Sequence, residues 1–215
     1  MKDTIVVNEI FTSIQGETSR AWILCTFVRL TACNLRCTYC DTAYAFHKGT
    51  ERRIHEVLEE VERRGVRLVT VTGGEPLLQE GVYDLIRALL DQGFDVQVET
   101  SGAIPTSRID PRAWVILDVK TPGSGETEAM HWENLARARH QDEVKFVIVD
   151  RADYEWARGV IHSGRIPRGV PVLLSPAHGT LEAKDLAAWM IEDRLDARLQ
   201  LQIHKYIWGS DARGV

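Results

Sequence analysis

Short, nearly continuous apolar runs alternate with amphipathic segments along this 215-residue chain, and that alternation constrains the fold more than any other feature. The runs occupy residues 22–30, 67–72, 94–100, 114–119, 144–149 and 170–174, with 199–203 a candidate for a last one. They are rich in Val, Ile, Leu and Thr, and their apolar character is nearly unbroken, as expected of strands covered on both faces. Between them, residues 51–64 place Ile54, Val57, Leu58 and Val61 on one helical face, with Gly65 where a C-cap belongs. Residues 81–91 repeat the pattern, closed by Gly93, and 152–161 and 185–195 supply two more helices.

Strand and helix in alternation predict an α/β architecture of parallel strands joined by right-handed crossovers. About six such units fall short of a full eight-stranded barrel. An open sheet and an incomplete barrel both remain compatible with the pattern, and both place functional groups at the C-terminal ends of the strands. No Pro-, Gly- or Ser-rich linker interrupts the chain, so residues 1–215 read as a single domain.

Charge excludes some functions. Twenty-six Lys and Arg against 31 Asp and Glu give a net charge of −5, without the broad basic surface of a nucleic-acid binder. No apolar stretch approaches the roughly 20 residues of a membrane span. The N-terminus is too acidic and too short in apolar residues for a secretion signal, so a cytoplasmic protein is expected.

All four cysteines, Cys25, Cys33, Cys37 and Cys40, lie within 16 residues. In a reducing compartment such crowding points to metal or cluster ligation rather than disulfides. Three of them form C-x3-C-x2-C just past the first long strand run, enough to hold three irons of a [4Fe–4S] cluster. Cys25, inside an apolar run, reads as a buried small hydrophobe. Three ligands would leave one iron open to bind and activate a small molecule. The competing reading is a structural zinc site with His47 as fourth ligand, although such sites usually pair two C-x2-C knuckles.

C-x3-C-x2-C with an aromatic, Tyr39, before the last Cys resembles the signature of the radical S-adenosylmethionine superfamily. That resemblance implies an incomplete, TIM-like barrel with outer helices, and a fourth iron chelated by S-adenosylmethionine. Gly73-Gly74-Glu75-Pro76, at the end of the run 67–72, resembles the superfamily element that binds the amino group of that cofactor. Other polar residues close later strand runs. By the same resemblance Tyr39, Ser101, Asp118, Lys120 and Ser175 join Gly73, Gly74 and Glu75 around S-adenosylmethionine.

Residues 8–18, 27–30, 40–42 and 202–209 together resemble the 7-carboxy-7-deazaguanine synthase family within that superfamily. The resemblance spans residues 8–209. It implies a carbon–nitrogen lyase that contracts the ring of 6-carboxy-5,6,7,8-tetrahydropterin to 7-carboxy-7-deazaguanine with loss of ammonia, using S-adenosylmethionine as a reusable cofactor. It further implies that Gln15, Gly16, Glu17, Arg29, Thr72 and His204 bind the substrate and that Thr42 offers its hydroxyl to Mg²⁺. A flavodoxin-like reductant and a homodimer are implied likewise. Two rivals are an enzyme that activates a glycyl-radical protein and, in another class, a non-catalytic iron–sulfur or zinc module. The tail, residues 210–215, runs past the last family segment and leaves open whether it helps close the pocket.

Overall fold

The computed structural model describes residues 3–215; Met1 and Lys2, part of the N-terminal reading and of the expected domain 1–215, lie outside them. A single nine-stranded sheet is built from β1 (Thr4–Ile14), β2 (Leu24–Leu30), β3 (Thr50–Arg53), β4 (Leu68–Gly73), β5 (Asp95–Thr100), β6 (Trp114–Val119), β7 (Glu143–Ile148), β8 (Val172–Pro176) and β9 (Arg198–Leu199). Spatial order is β3-β1-β2-β4-β5-β6-β7-β8-β9. From β2 through β4 to β9 neighbouring strands run parallel, while β1 pairs antiparallel with both β2 and β3. The sheet is therefore open, with β3 and β9 at its edges. It nonetheless curls, because Phe11 of β1 and Ser175 of β8 line the same cavity.

The helices are α1 (Ile54–Arg64), α2 (Gly81–Asp91), α3 (Glu133–Arg137), α4 (Arg151–His162), α5 (Ala183–Glu192) and α6 (Ile203–Trp208). Among the described residues, none is long and apolar enough to cross a membrane. In α1, Ile54, Val57 and Val61 are buried, and Gly65 ends the helix at φ +66° with its N–H on the Glu62 carbonyl. A left-handed C-cap of this kind suits glycine, which has no Cβ to clash. The side chain of Glu56 returns to the Arg53 N–H at 2.9 Å and closes the other end. Valines and leucines of α1 and α2 pack on Val69, Val71, Val96 and Val98 of the sheet's outer face. Each such fully buried aliphatic contributes about 1.5–3 kcal/mol. A second cluster joins β6–β8 to α4 and α5 around Phe146, Tyr154 and Leu186.

Strand period decides what the inner face carries. On β5 the outward Val96 and Val98 alternate with Gln97 and Glu99, and on β7 Val144 and Phe146 alternate with Lys145. Polar groups thus collect on the concave side.

Several boundaries differ from the sequence pattern. β1 carries too many polar residues to read as a buried strand, yet it spans 11 residues, pairing on one side with β2 and on the other with the short β3. Residues 51–53, expected in the first helix, belong to that strand instead. The run 199–203 divides: Leu199 ends β9 and Ile203 starts α6. Between β1 and β2 the loop crosses the open side of the sheet. The backbone N–H of Ser19 donates to Glu143 at 3.0 and 3.1 Å, and the Arg20 guanidinium lies 3.7 Å from the Trp114 ring centroid. The Ile203 N–H then donates to the Gly16 carbonyl at 3.0 Å, docking the C-terminal segment on that loop.

Candidate active site

The concave face opens into a cavity of about 560 Å³, in the range of small-molecule sites. Its two halves have different chemistry.

One half is the cysteine loop and the turn after β4. The loop leaves β2 through Ala32, which has φ +81°, and is pinned by buried Leu35 and by Thr38, whose hydroxyl donates to the Gly123 carbonyl at 2.7 Å. Cys33, Cys37 and Cys40 all line the cavity, as do Tyr39, Gly73 and Gly74. A Cβ on Gly73 would meet the Leu30 backbone, and one on Gly74 would meet the Ala32 carbonyl and the Cys33 side chain. Only glycines let this turn approach the loop so closely. Burial raises each of the three thiols, and the nearby Lys120 ammonium opposes that shift. Among the described residues no three His, Cys, Asp or Glu side chains converge on one ion. In a [4Fe–4S] cluster each thiolate takes its own iron, so three separate thiols facing one space are the donor set such a group needs. His47 is exposed and lies outside the cavity lining, and Cys25 is fully buried against Phe27 and Leu68.

Asp118, Lys120, Ser101 and Ser175 line the cavity from the ends of β5, β6 and β8. Lys120 is 7% exposed and pairs with Asp118 at 3.1 Å. Its ammonium stands 5.9 Å from the Tyr39 ring. The Tyr39 hydroxyl is buried without a protein partner, an orphan that a bound group in this space could satisfy.

Glu75 is placed differently from the rest. It is fully buried and outside the cavity lining, and its carboxylate accepts from the Leu77 N–H, the Thr100 hydroxyl, and both the N–H and hydroxyl of Ser101. It braces the turn from behind.

The other half gathers the substrate set that the sequence implied. Gln15, Gly16, Glu17, Arg29, Thr72 and His204 all line it. The Gln15 amide donates to Thr70 at 3.1 Å and to Glu99 at 3.4 Å, and the Thr72 hydroxyl donates to Glu99 at 3.0 Å. Arg29 is held by Glu9 at 2.8 Å through Nε. Thr42 follows the cysteine loop and donates to Asp41 at 2.9 Å, and Asp41 pairs with Lys205 at 2.9 Å. Burial lowers the His204 imidazole. A Cβ on Gly16 would collide with the His204 imidazole nitrogen Nδ1. Gly16→Ala should therefore lower unfolding stability by about 1–3 kcal/mol, as denaturant midpoints would check. Ser210, Asp211 and Val215 of the tail also line the cavity.

The sequence reading assigned no individual role to Lys145, Asp41 or Glu99. Burial raises Glu99, and repulsion from Glu17 adds to it. Burial alone would raise Glu17 as well, but Lys145 at 2.6 Å outweighs it and holds the carboxyl below its usual range. One signal was present: a lysine inside the apolar strand run 144–149, costly there unless it meets a partner.

Residues 28–117 match the Radical SAM superfamily, so the thiol wall and glycine turn belong to a radical S-adenosylmethionine enzyme. The 7-carboxy-7-deazaguanine synthase of Chlorobaculum tepidum is 45% identical over 97% of this chain and 96% of its own length, and that of Koribacter versatilis is 43% identical over 97% and 99%. The chain belongs to the 7-carboxy-7-deazaguanine synthase family. The crystal structure of QueE from Escherichia coli shares the fold, with TM-score 0.78 at 24% identity over 94% of this chain and 95% of that one.

Proposed function

We propose that this protein converts 6-carboxy-5,6,7,8-tetrahydropterin to 7-carboxy-7-deazaguanine with loss of ammonia. The observation that carries the reading is the two-sided cavity: three thiols and a double-glycine turn face one half, and Gln15, Glu17, Arg29 and His204 face the other. When bound, the cluster supplies the electron that cleaves S-adenosylmethionine to a hydrogen-abstracting radical. Cys33, Cys37 and Cys40 would hold it. Backbone at Gly73 and Gly74, with Tyr39, Ser101, Asp118, Lys120 and Ser175, would seat S-adenosylmethionine, and Glu75 would shape that seat from behind.

On the substrate side, Glu17 offers carboxylate acceptors to the edge of a pterin ring, and Gln15, whose amide is engaged with Thr70, Glu99 and the Glu17 N–H, would hold that wall of the pocket in place. The Arg29 guanidinium has its terminal nitrogens free of the Glu9 contact at Nε and would clamp the carboxylate. Thr72 and His204 would complete the contacts. The burial of this half excludes water from the reacting ring, the main task of the protein where a cofactor carries the chemistry.

Thr42 would offer its hydroxyl to a Mg²⁺ that keeps its remaining ligands from substrate and water. Thr42→Val should then abolish the stimulation of turnover by added Mg²⁺; a variant still stimulated as strongly as the parent would remove this role. A flavodoxin-like protein would supply electrons in the cytoplasm, and the chain would work as a homodimer of single-domain subunits.

The reading is tested by anaerobic assay of reconstituted protein with dithionite, S-adenosylmethionine, Mg²⁺ and the pterin, followed by mass spectrometry of the product. Deazaguanine is the expected product. Cleavage of S-adenosylmethionine without it would leave the superfamily and overturn the substrate.

A further inference from the structure

Lys145 enters the cavity from the middle of β7, where its neighbours Val144 and Phe146 face the helix-covered side. Its ammonium stands 2.6 Å from Glu17 Oε2 and 3.7 Å from Asp118 Oδ2. We propose that Lys145 is a positioning residue for the reaction, one cation shared by the substrate-facing Glu17 and the cofactor-facing Asp118 that fixes the Glu17 carboxylate in place. The proposal rests on the reading above that Glu17 meets the pterin.

Glu17 sits on the β1–β2 loop, outside any strand or helix, so no regular backbone ladder fixes its side chain. Two side chains hold it: the Lys145 ammonium and the neutral Gln202 amide, at 2.9 Å from Oε1. Of these, the charge-assisted contact is the stronger. Asp118 is in turn paired with Lys120 through its other oxygen, so charges alternate from Glu17 across the cavity to the wall beside Tyr39. Both Glu17 and Lys145 have side chains about 15% exposed, where an ion pair is screened little.

Several elements around this pair contribute charge, whereas β4 and β8 present the neutral Thr72 and Ser175. Glu99 of β5 faces it as a second carboxylate, with Arg29 of β2, His204 of α6 and Lys120 beyond β6 as the other charged or titratable groups. Glu143, two residues back on β7, is occupied by the Ser19 N–H. Without Lys145, Glu17, Glu99 and Asp118 would crowd one space with their nearest shared counter-charge gone. The Glu17 and Glu99 carboxyls would then both move up, since the Lys145 ammonium is what lowers each.

The test uses reconstituted holoenzyme carrying Lys145→Met or Lys145→Arg. Lys145→Met should raise the pterin KM by about tenfold or more, and Lys145→Arg should restore most of the loss because it keeps the charge. The acidic limb of the pH–rate profile should move to higher pH in Lys145→Met, since Glu17 now protonates more readily. A further readout needs no turnover: infrared spectra at neutral pH should gain a protonated-carboxyl band in Lys145→Met, absent from Glu17→Gln/Lys145→Met. If Lys145→Met proves too unstable to study, the double variant serves. A pterin KM equal to that of Glu17→Gln alone supports coupling, and a KM raised further above it overturns the proposal. Unchanged KM and an unmoved acidic limb in Lys145→Met would also overturn the proposal. Failure of the parent enzyme to turn over the pterin removes the substrate reading instead and leaves the infrared result to judge Lys145.

Discussion

Cys37→Ala protein, reconstituted anaerobically with iron and sulfide, is expected to show no stable [4Fe–4S] chromophore and no cleavage of S-adenosylmethionine above background, whereas Cys25→Ala should take up as much iron as the parent. The four cysteines differ in surroundings rather than in chemistry. Cys33, Cys37 and Cys40 face the cavity from one loop, and on the proposed ligation removing any one would leave an iron without its protein ligand. Cys25 is fully buried on β2, packed with Phe27 and Leu68, and its sulfur lies 3.1 Å from the Thr70 hydroxyl. Burial pushes its thiol up to about 12, far from the thiolate that a metal needs. Cys25→Ala should cost only about 1 kcal/mol of stability. Equal loss of iron in both variants would put Cys25 among the ligands and restore a four-cysteine centre.

The second large effect is expected at Glu75. Glu75→Ala should lower unfolding stability by about 3–5 kcal/mol, read from denaturant midpoints, and reduce product to background. The carboxylate is wholly buried and accepts hydrogen bonds from four donors, the shortest from the Ser101 hydroxyl at 2.5 Å and the Ser101 N–H at 2.7 Å. Truncation leaves those donors and the N–H of Leu77 without a partner in an apolar interior. It also unties the end of β5 from the turn after β4, the turn whose glycines face the cysteine loop. Glu75→Gln should lie between, because its amide places a donor where two donors already point. An unfolding midpoint unchanged in Glu75→Ala would mean that the side chain turns toward the cavity and does not brace the fold.

Legibility from sequence followed burial. The parallel strands β4 to β8 and helices α1, α2 and α4 announced themselves because their residues are covered by other layers, which demands unbroken apolar runs or a helical stripe. β1 carries Asn8, Glu9, Thr12 and Ser13, and no period separates such a strand from a loop. Its place is fixed by pairing with β2 on one side and β3 on the other, contacts that lie outside any local window. Of the site, the thiol loop and the glycine turn were legible because metal ligation and close backbone approach each demand a particular residue type at a particular spacing.

The sequence by itself determined the fold class, the three-thiol loop and the family, since these depend on local pattern and on motifs kept in order. The tertiary structure decided which carboxylates work and which brace. Glu75, beside the glycines in sequence, is turned behind the wall by Thr100 and Ser101. Lys145, more than 120 residues from Glu17, is brought within 2.6 Å of it. Burial and charge pairing set the protonation of each such group, and both are sums over neighbours that only the folded chain brings together.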